Sequence, residues 1–341
     1  MSTSNNNYFH PSFSHIYVEK TIFNHPRTQQ ILSHFTDAKI IFIDHYKDIF
    51  SRSRQNPSAQ YESRALILAQ KTDGFLYPGA PFCQDFNESH FYYSSCIMNC
   101  LYQCEYCYLK GMYSSSHIVI FVNLEDYFAA FDQLLLAHPA YICISYDTDL
   151  VALDKITHFI PAFLNYADSH PTVRFEIRTK AAPIDFWSTK PKLSNVIYSF
   201  TLSPDEVIHE YEHYTPPLTQ RLDCIASGLM AGYPIRLCFD PLIYFFDWQN
   251  AYSKMLQLTA QNLDLSQITE ISVGTFRMNK DYLKKMRHAF GDNKIIFFPF
   301  ENKSNISSYP DDIEQKLLLT FLHQLYLFYP KEKIFIWDKM N

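Results

Sequence analysis

A chain of 341 residues, 47% hydrophobic and only 19% charged, can bury a large core and is not composed like a disordered polymer. A net charge of −6 and a pI near 6.1 exclude an overall basic coat for nucleic acid, leaving room only for a local basic groove. Seven glycines give no phosphate-cradling glycine-rich loop. The N-terminus lacks a charged-then-apolar leader and no apolar run reaches about 18 residues, so a cytoplasmic, non-membrane protein is expected.

In chain order, IYVEKTIF (16–23) and KIIFID (39–44) predict short strands with a helix between them near Thr28–Phe35. A polar loop follows at 51–64, then the apolar run RALILA (64–69) and a Gly- and Pro-bearing irregular segment, 71–87, that contains Cys83. From residue 91 the chain alternates. Strand-like runs stand at 91–96, 117–123, 141–146, 173–180, 195–203, 234–241, 268–277 and 294–300. Helical patterns occupy 123–138, 153–168, 218–231, 247–263, 279–290 and 311–328. In the first of these Asn123 is placed to cap, and Leu124, Tyr127, Phe128, Phe131 and Leu135 share a face. Such alternation predicts an α/β fold, a partial (β/α) barrel with its chemistry at the C-terminal strand ends. The expected organisation is an N-terminal α/β extension (1–90), the partial barrel (91–300) and a C-terminal helix and strand (301–341) in the same compact unit.

Eight cysteines in a cytoplasmic chain of this size point to metal or catalysis more than to disulfides. Cys100, Cys104 and Cys107 stand at C-x3-C-x2-C with Tyr106 before the last. Three thiolates so spaced can hold three corners of a [4Fe–4S] cube, leaving one iron open. This is the spacing of radical S-adenosylmethionine (SAM) enzymes. A structural zinc with Cys96 as fourth ligand, in a noncatalytic DNA-binding protein, is the alternative that the cysteines leave open.

The run from Ser94 to Phe128, with Cys107-Tyr108-Leu109, Val122-Asn123 and the later Asp149-Leu150-Val151, resembles the spore photoproduct lyase family. The resemblance spans nearly the whole chain and is strongest over 91–155. It implies a lyase that restores two thymines from the ultraviolet lesion 5-thyminyl-5,6-dihydrothymine, using a SAM-derived radical made at a [4Fe–4S] cluster. A radical SAM enzyme acting on RNA, a peptide or a metabolite is the runner-up. Carried over by position, Tyr106, Thr148, Lys180, Thr201, Ser203 and Asp240 are expected around SAM, and Tyr108 in returning a hydrogen atom to the deoxyadenosyl group.

One departure concerns the hydrogen donor. Where bacillus-type members carry a donor cysteine, this chain has Tyr146. Cys143, three positions earlier, would face the other way on a regular strand and reads as a small core residue. Cys83, in a loop able to fold across the strand ends, is the expected donor, with Cys238, Cys143 and Cys96 as the remaining candidates. Arg277, Lys280, Lys284 and Lys285 are the candidate contacts for damaged DNA. A monomer served by an electron donor such as flavodoxin or ferredoxin completes the expectation.

Overall fold

The structure is a computed structural model and describes residues 12–80 and 83–337; the start of the N-terminal extension, residues 81–82 of the irregular segment and the last four residues lie outside it. Its larger sheet has eight strands, curled into a half-barrel. Seven are parallel, in the order Ile334–Ile336, Glu270–Thr275, Ile235–Leu242, Val196–Thr201, Val173–Thr179, Ala140–Cys143 and Phe91–Tyr93. Tyr77–Pro78 closes that edge antiparallel to Phe91–Tyr93. Inner strands such as Val196–Thr201 are buried at every position, as expected when helices cover one face and the barrel bore the other.

A second sheet pairs Lys39–Ile43, His15–Glu19, Leu66–Ala69 and Ile118–Phe121 in parallel, with Ile97–Met98 antiparallel at its end. The run 117–123 therefore leaves the alternating series and joins the N-terminal strands. All four residues of Ile118–Phe121 are buried, so apolar character alone could not assign the strand to one sheet or the other. The consequence is functional. The chain leaves the half-barrel at Phe91–Tyr93 and enters the small sheet at Ile97–Met98, and the cysteine loop that follows connects this strand to Ile118–Phe121 of the same sheet.

Other expectations shift for local reasons. The single helix expected at 153–168 is two, Leu150–Thr157 and Phe159–Ser169, broken at His158 (φ 52°). Pro161 cannot donate a helical hydrogen bond, and the Asp154 carboxylate takes the Ile160 N–H at 2.9 Å instead. Asn123 does not cap its helix through its side chain; its amide exchanges hydrogen bonds with Lys71 N and O at 2.9 and 2.7 Å. The run 294–300 is a chain of turns, not a strand. Asn293 Oδ1 accepts from Ile295 N and Ile296 N, and Arg287 donates to Ile296 O and Phe298 O, satisfying backbone groups that a ladder would otherwise hold. Among the described residues, no helix is long and apolar enough to cross a membrane.

Candidate active site

The cysteine loop makes almost no regular structure, so its shape is set by bonds to its neighbours. Asn99, at φ 66°, donates to Ser115 O and His117 O at 2.8 and 2.7 Å. Arg64 holds Leu101 O (3.0 Å) and Lys110 holds Gln103 O (3.1 Å). Glu105 is gripped from both sides, its N–H donating to Tyr211 O at 2.8 Å and its carbonyl accepting from Asn293 at 2.6 Å. Past Cys107 the chain turns into the helix Leu109–Met112. There Gly111 lies so close to Tyr282 that an added Cβ would sit 2.3 Å from its carbonyl oxygen.

With its backbone occupied in this way, the loop turns Cys100, Cys104 and Cys107 toward one cavity of about 270 Å³ at the C-terminal ends of the half-barrel strands. Among the described residues no three His, Cys, Asp or Glu side chains converge on a single ion. The three thiols border one shared cavity, where each could hold one iron of a cube and leave the fourth iron open. Burial pushes the Cys104 thiol up to about 12, while Lys180 and Lys110 pull the other way. Cluster assembly must therefore expel protons, with two ammonium groups on hand to offset the new negative charge.

The same cavity gathers most of the residues expected around SAM: Tyr106, Thr148, Lys180, Thr201 and Asp240 all line it. Thr148 Oγ1 is buried with no hydrogen-bond partner among the described residues, the kind of orphaned polar atom that a polar ligand would satisfy. Lys180 Nζ lies 5.5 Å from the Tyr106 ring centroid. Burial disfavours its charge, but Glu212 and Cys104 outweigh burial and raise its pKa, so it stays an ammonium ready for a carboxylate. Donor set, cation and orphaned hydroxyl together fit a [4Fe–4S] cluster carrying SAM.

Not every expected contact faces the cavity. Ser203 is buried outside its wall and donates to Glu212 Oε1 at 2.7 Å. Tyr106 gives its hydroxyl to the same oxygen, so only its ring is left for a ligand. Glu212 is also paired with Arg221 at 2.6 Å, both side chains being fully buried. Burial alone would raise the Glu212 pKa, but the Arg221 and Lys180 charges overcome it and hold the carboxyl down at about 2. This pair, which no sequence signal flagged, positions Tyr106. Replacing Arg221 with leucine leaves a buried carboxylate unmatched and is expected to cost about 3–5 kcal/mol in urea-unfolding stability.

Asp149 is likewise a support. It caps Leu150–Thr157 through Ala152 N (3.1 Å) and accepts from Thr179 Oγ1 and Lys180 N, both at 2.7 Å, tying two strand ends together below Thr148 and Lys180. Asp240 spends both carboxylate oxygens on Arg277, at 2.7 and 2.9 Å. Arg277 thus belongs to the cavity wall, stacked 4.3 Å from the Trp337 ring, and not to an exposed phosphate-binding face. Gly274 makes the pairing possible, since a Cβ there would lie 2.7 Å from Arg277 Nη1. Lys280, Lys284 and Lys285 are exposed, on a helix (Lys280–Ala289) whose Tyr282 lines the cavity.

Cys83 Sγ sits 3.1 Å from Tyr146 Oη, and both line the cavity. Tyr146 is stacked on Tyr93 at 4.2 Å, and Tyr108 donates to the Tyr146 carbonyl at 2.6 Å. Burial raises the Cys83 pKa, with Tyr146 pulling against it, so the group is a thiol through neutral pH and would lose its proton only well into alkaline conditions. Cys143 also borders the cavity, against the alternation argument. The regular strand ends at Cys143, and Ser145 pairs with Ser95 in an isolated bridge, so alternation does not run on to Tyr146. Cys96 and Cys238 are buried away from the cavity wall.

A family model described as spore photoproduct lyase matches residues 9–294. The chain is 22% identical over 253 residues to the spore photoproduct lyase of Bacillus subtilis (strain 168), covering 71% of each protein. It is 20% identical over 336 residues to that of Clostridium acetobutylicum, covering 94% of this chain and 98% of the relative. A spore photoproduct lyase mutant solved with bound AdoMet and dinucleoside spore photoproduct superposes with a TM-score of 0.80, at 19% identity, over 96% of this chain and 98% of that one. A further complex with the dinucleoside lesion gives a TM-score of 0.77 at 18% identity, over 96% and 98%.

Proposed function

The chain belongs to the spore photoproduct lyase family, and on that premise we propose how its own residues return the spore photoproduct in DNA to two thymines. The observation that carries the reading is one cavity bordered both by three cluster-spaced thiols and by the Cys83 thiol, held on a tyrosine. Cys100, Cys104 and Cys107 would hold the cluster, and Lys180, Thr148, Thr201 and the Tyr106 ring would hold SAM. When bound, that pair supplies a carbon radical strong enough to take a hydrogen atom from the dihydrothymine half of the lesion.

The protein's task is then placement and quenching. The lesion's linked thymines must leave the helical stack to enter the cavity. Phe91, Phe276 and Met278 give it an apolar wall, and the Asp240–Arg277 pair supplies fixed polar atoms. Once the methylene bridge has broken, the Cys83 S–H gives its hydrogen atom to the remaining allylic carbon. The sulfur radical left behind is within reach of the Tyr146 O–H, with Tyr108 beside it toward the cluster loop. Lys280, Lys284 and Lys285 supply phosphate contacts next to the cavity. The protein works in the cytoplasm as a monomer, with a flavodoxin or ferredoxin as electron donor.

Thymine formation from the authentic dinucleoside lesion by anaerobically reconstituted protein tests this reading; SAM cleavage without thymine would instead indicate another substrate. Reversing the charges of Lys284 and Lys285 to glutamate is expected to weaken duplex binding about tenfold or more and to flatten its salt dependence, while repair of the dinucleoside is retained. Unchanged binding in a salt titration would remove this helix from the DNA interface.

A further inference from the structure

Cys83 sits at one end of a short segment whose other end is anchored with unusual firmness. Phe86 and Asn87 adopt φ of 57° and 60°, a left-handed conformation that a bulky residue such as phenylalanine avoids. Such a turn persists only where the surroundings over-determine it. Here they do. The Phe86 ring is buried with the Arg236 guanidinium 3.2 Å from its centroid and Phe335 packed at 5.3 Å. Arg236, itself fully buried, is fixed by Tyr141 Oη at 2.7 Å, Glu176 at 3.2 Å and Glu270 at 2.9 Å. Two residues past Phe86, Glu88 pairs with Arg174 at 2.5 Å, and Arg174 reaches the same Glu270 at 3.5 Å.

The place of these anchors matters. Arg174, Arg236 and Glu270 are the second, second and first residues of their strands, so the anchor lies at the N-terminal end of the half-barrel, opposite the cavity. The segment from Phe86 back to Cys83 therefore spans the bore, plugged at one end and presenting its thiol to Tyr146 at the other. We propose that residues 84–88 form a strut for Cys83, with Phe86, Glu88, Arg174 and Arg236 as positioning residues that set how often the product radical is quenched by the thiol. Hydrogen transfer tolerates little misplacement, and an error near 1 Å in a reacting group can cost roughly a hundredfold. A plug that only filled the bore would leave the choice of quencher untouched.

The inference rests on Cys83 as the donor, and the test separates the two claims. Phe86→Leu removes the ring on Arg236, and Glu88→Gln removes the ion pair. For each, with Cys83→Ala alongside, the ratio of thymine to abortive adducts is measured together with total lesion consumed. Both strut variants are expected to consume lesion at close to the parent rate while abortive products rise about tenfold. If consumption and thymine formation fall together with an unchanged ratio, or nothing changes, the strut is overturned. If Cys83→Ala itself leaves the ratio unchanged, the donor assignment falls first, and the strut with it. Should Phe86→Leu fail to fold, Glu88→Gln alone decides.

Discussion

Cys83→Ala is expected to go on consuming lesion while losing clean thymine by about a hundredfold, with abortive adducts taking its place. The expectation follows from geometry and protonation together. The Sγ atom faces the cavity at 3.1 Å from Tyr146 Oη, and burial keeps the sulfur protonated, the only form that can give a hydrogen atom. Abstraction from the lesion precedes the thiol's part, so removing the thiol should spare the first step and spoil the last. Of the other cysteines outside the cluster triad, Cys143 is the one that shares the cavity wall, and Cys143→Ala serves as the control expected to keep the normal product. Product analysis by mass spectrometry checks both.

Loss of any one cluster cysteine should have the largest effect of all. Cys100→Ala, Cys104→Ala and Cys107→Ala are each expected to lower bound iron, bleach the brown colour and cut repair by at least about a thousandfold. The three thiols share one cavity, whereas Cys96, the next cysteine along the chain, is buried away from its wall. Cys96→Ala should therefore keep its iron. That contrast is also the sharpest test against a zinc site, in which Cys96 would be the fourth ligand. Iron analysis and visible absorbance after anaerobic reconstitution read it directly.

Much of this was legible in the residues because it rests on local signals. Cysteine spacing locates the cluster loop, and apolar runs alternating with helical faces locate the parallel sheet. Cys83 could be singled out because its segment lies beside the strand ends and Tyr146 fills the slot of the missing donor. What stayed hidden depends on contacts between distant residues. Nothing near Ser203 announces that Glu212, itself paired with Arg221, claims its hydroxyl. Arg277 reads as a basic residue before a basic helix, and only its pairing with Asp240 across Gly274 turns it inward. The strand Ile118–Phe121 carries the same apolar signal whichever sheet it joins. The strut at Phe86 rests on backbone angles and a cation at the far end of the bore, neither of which a sequence displays.

The role proposed for the half-buried Cys83 thiol is to quench the product radical in the cavity. It is tested most directly by repair of the dinucleoside lesion in deuterium oxide, where thiol hydrogens exchange with solvent. Thymine from the parent protein is expected to carry solvent deuterium at its methyl group, and Cys83→Ala to yield little labelled thymine. Unlabelled thymine from the parent, or full labelling from Cys83→Ala, would contradict it.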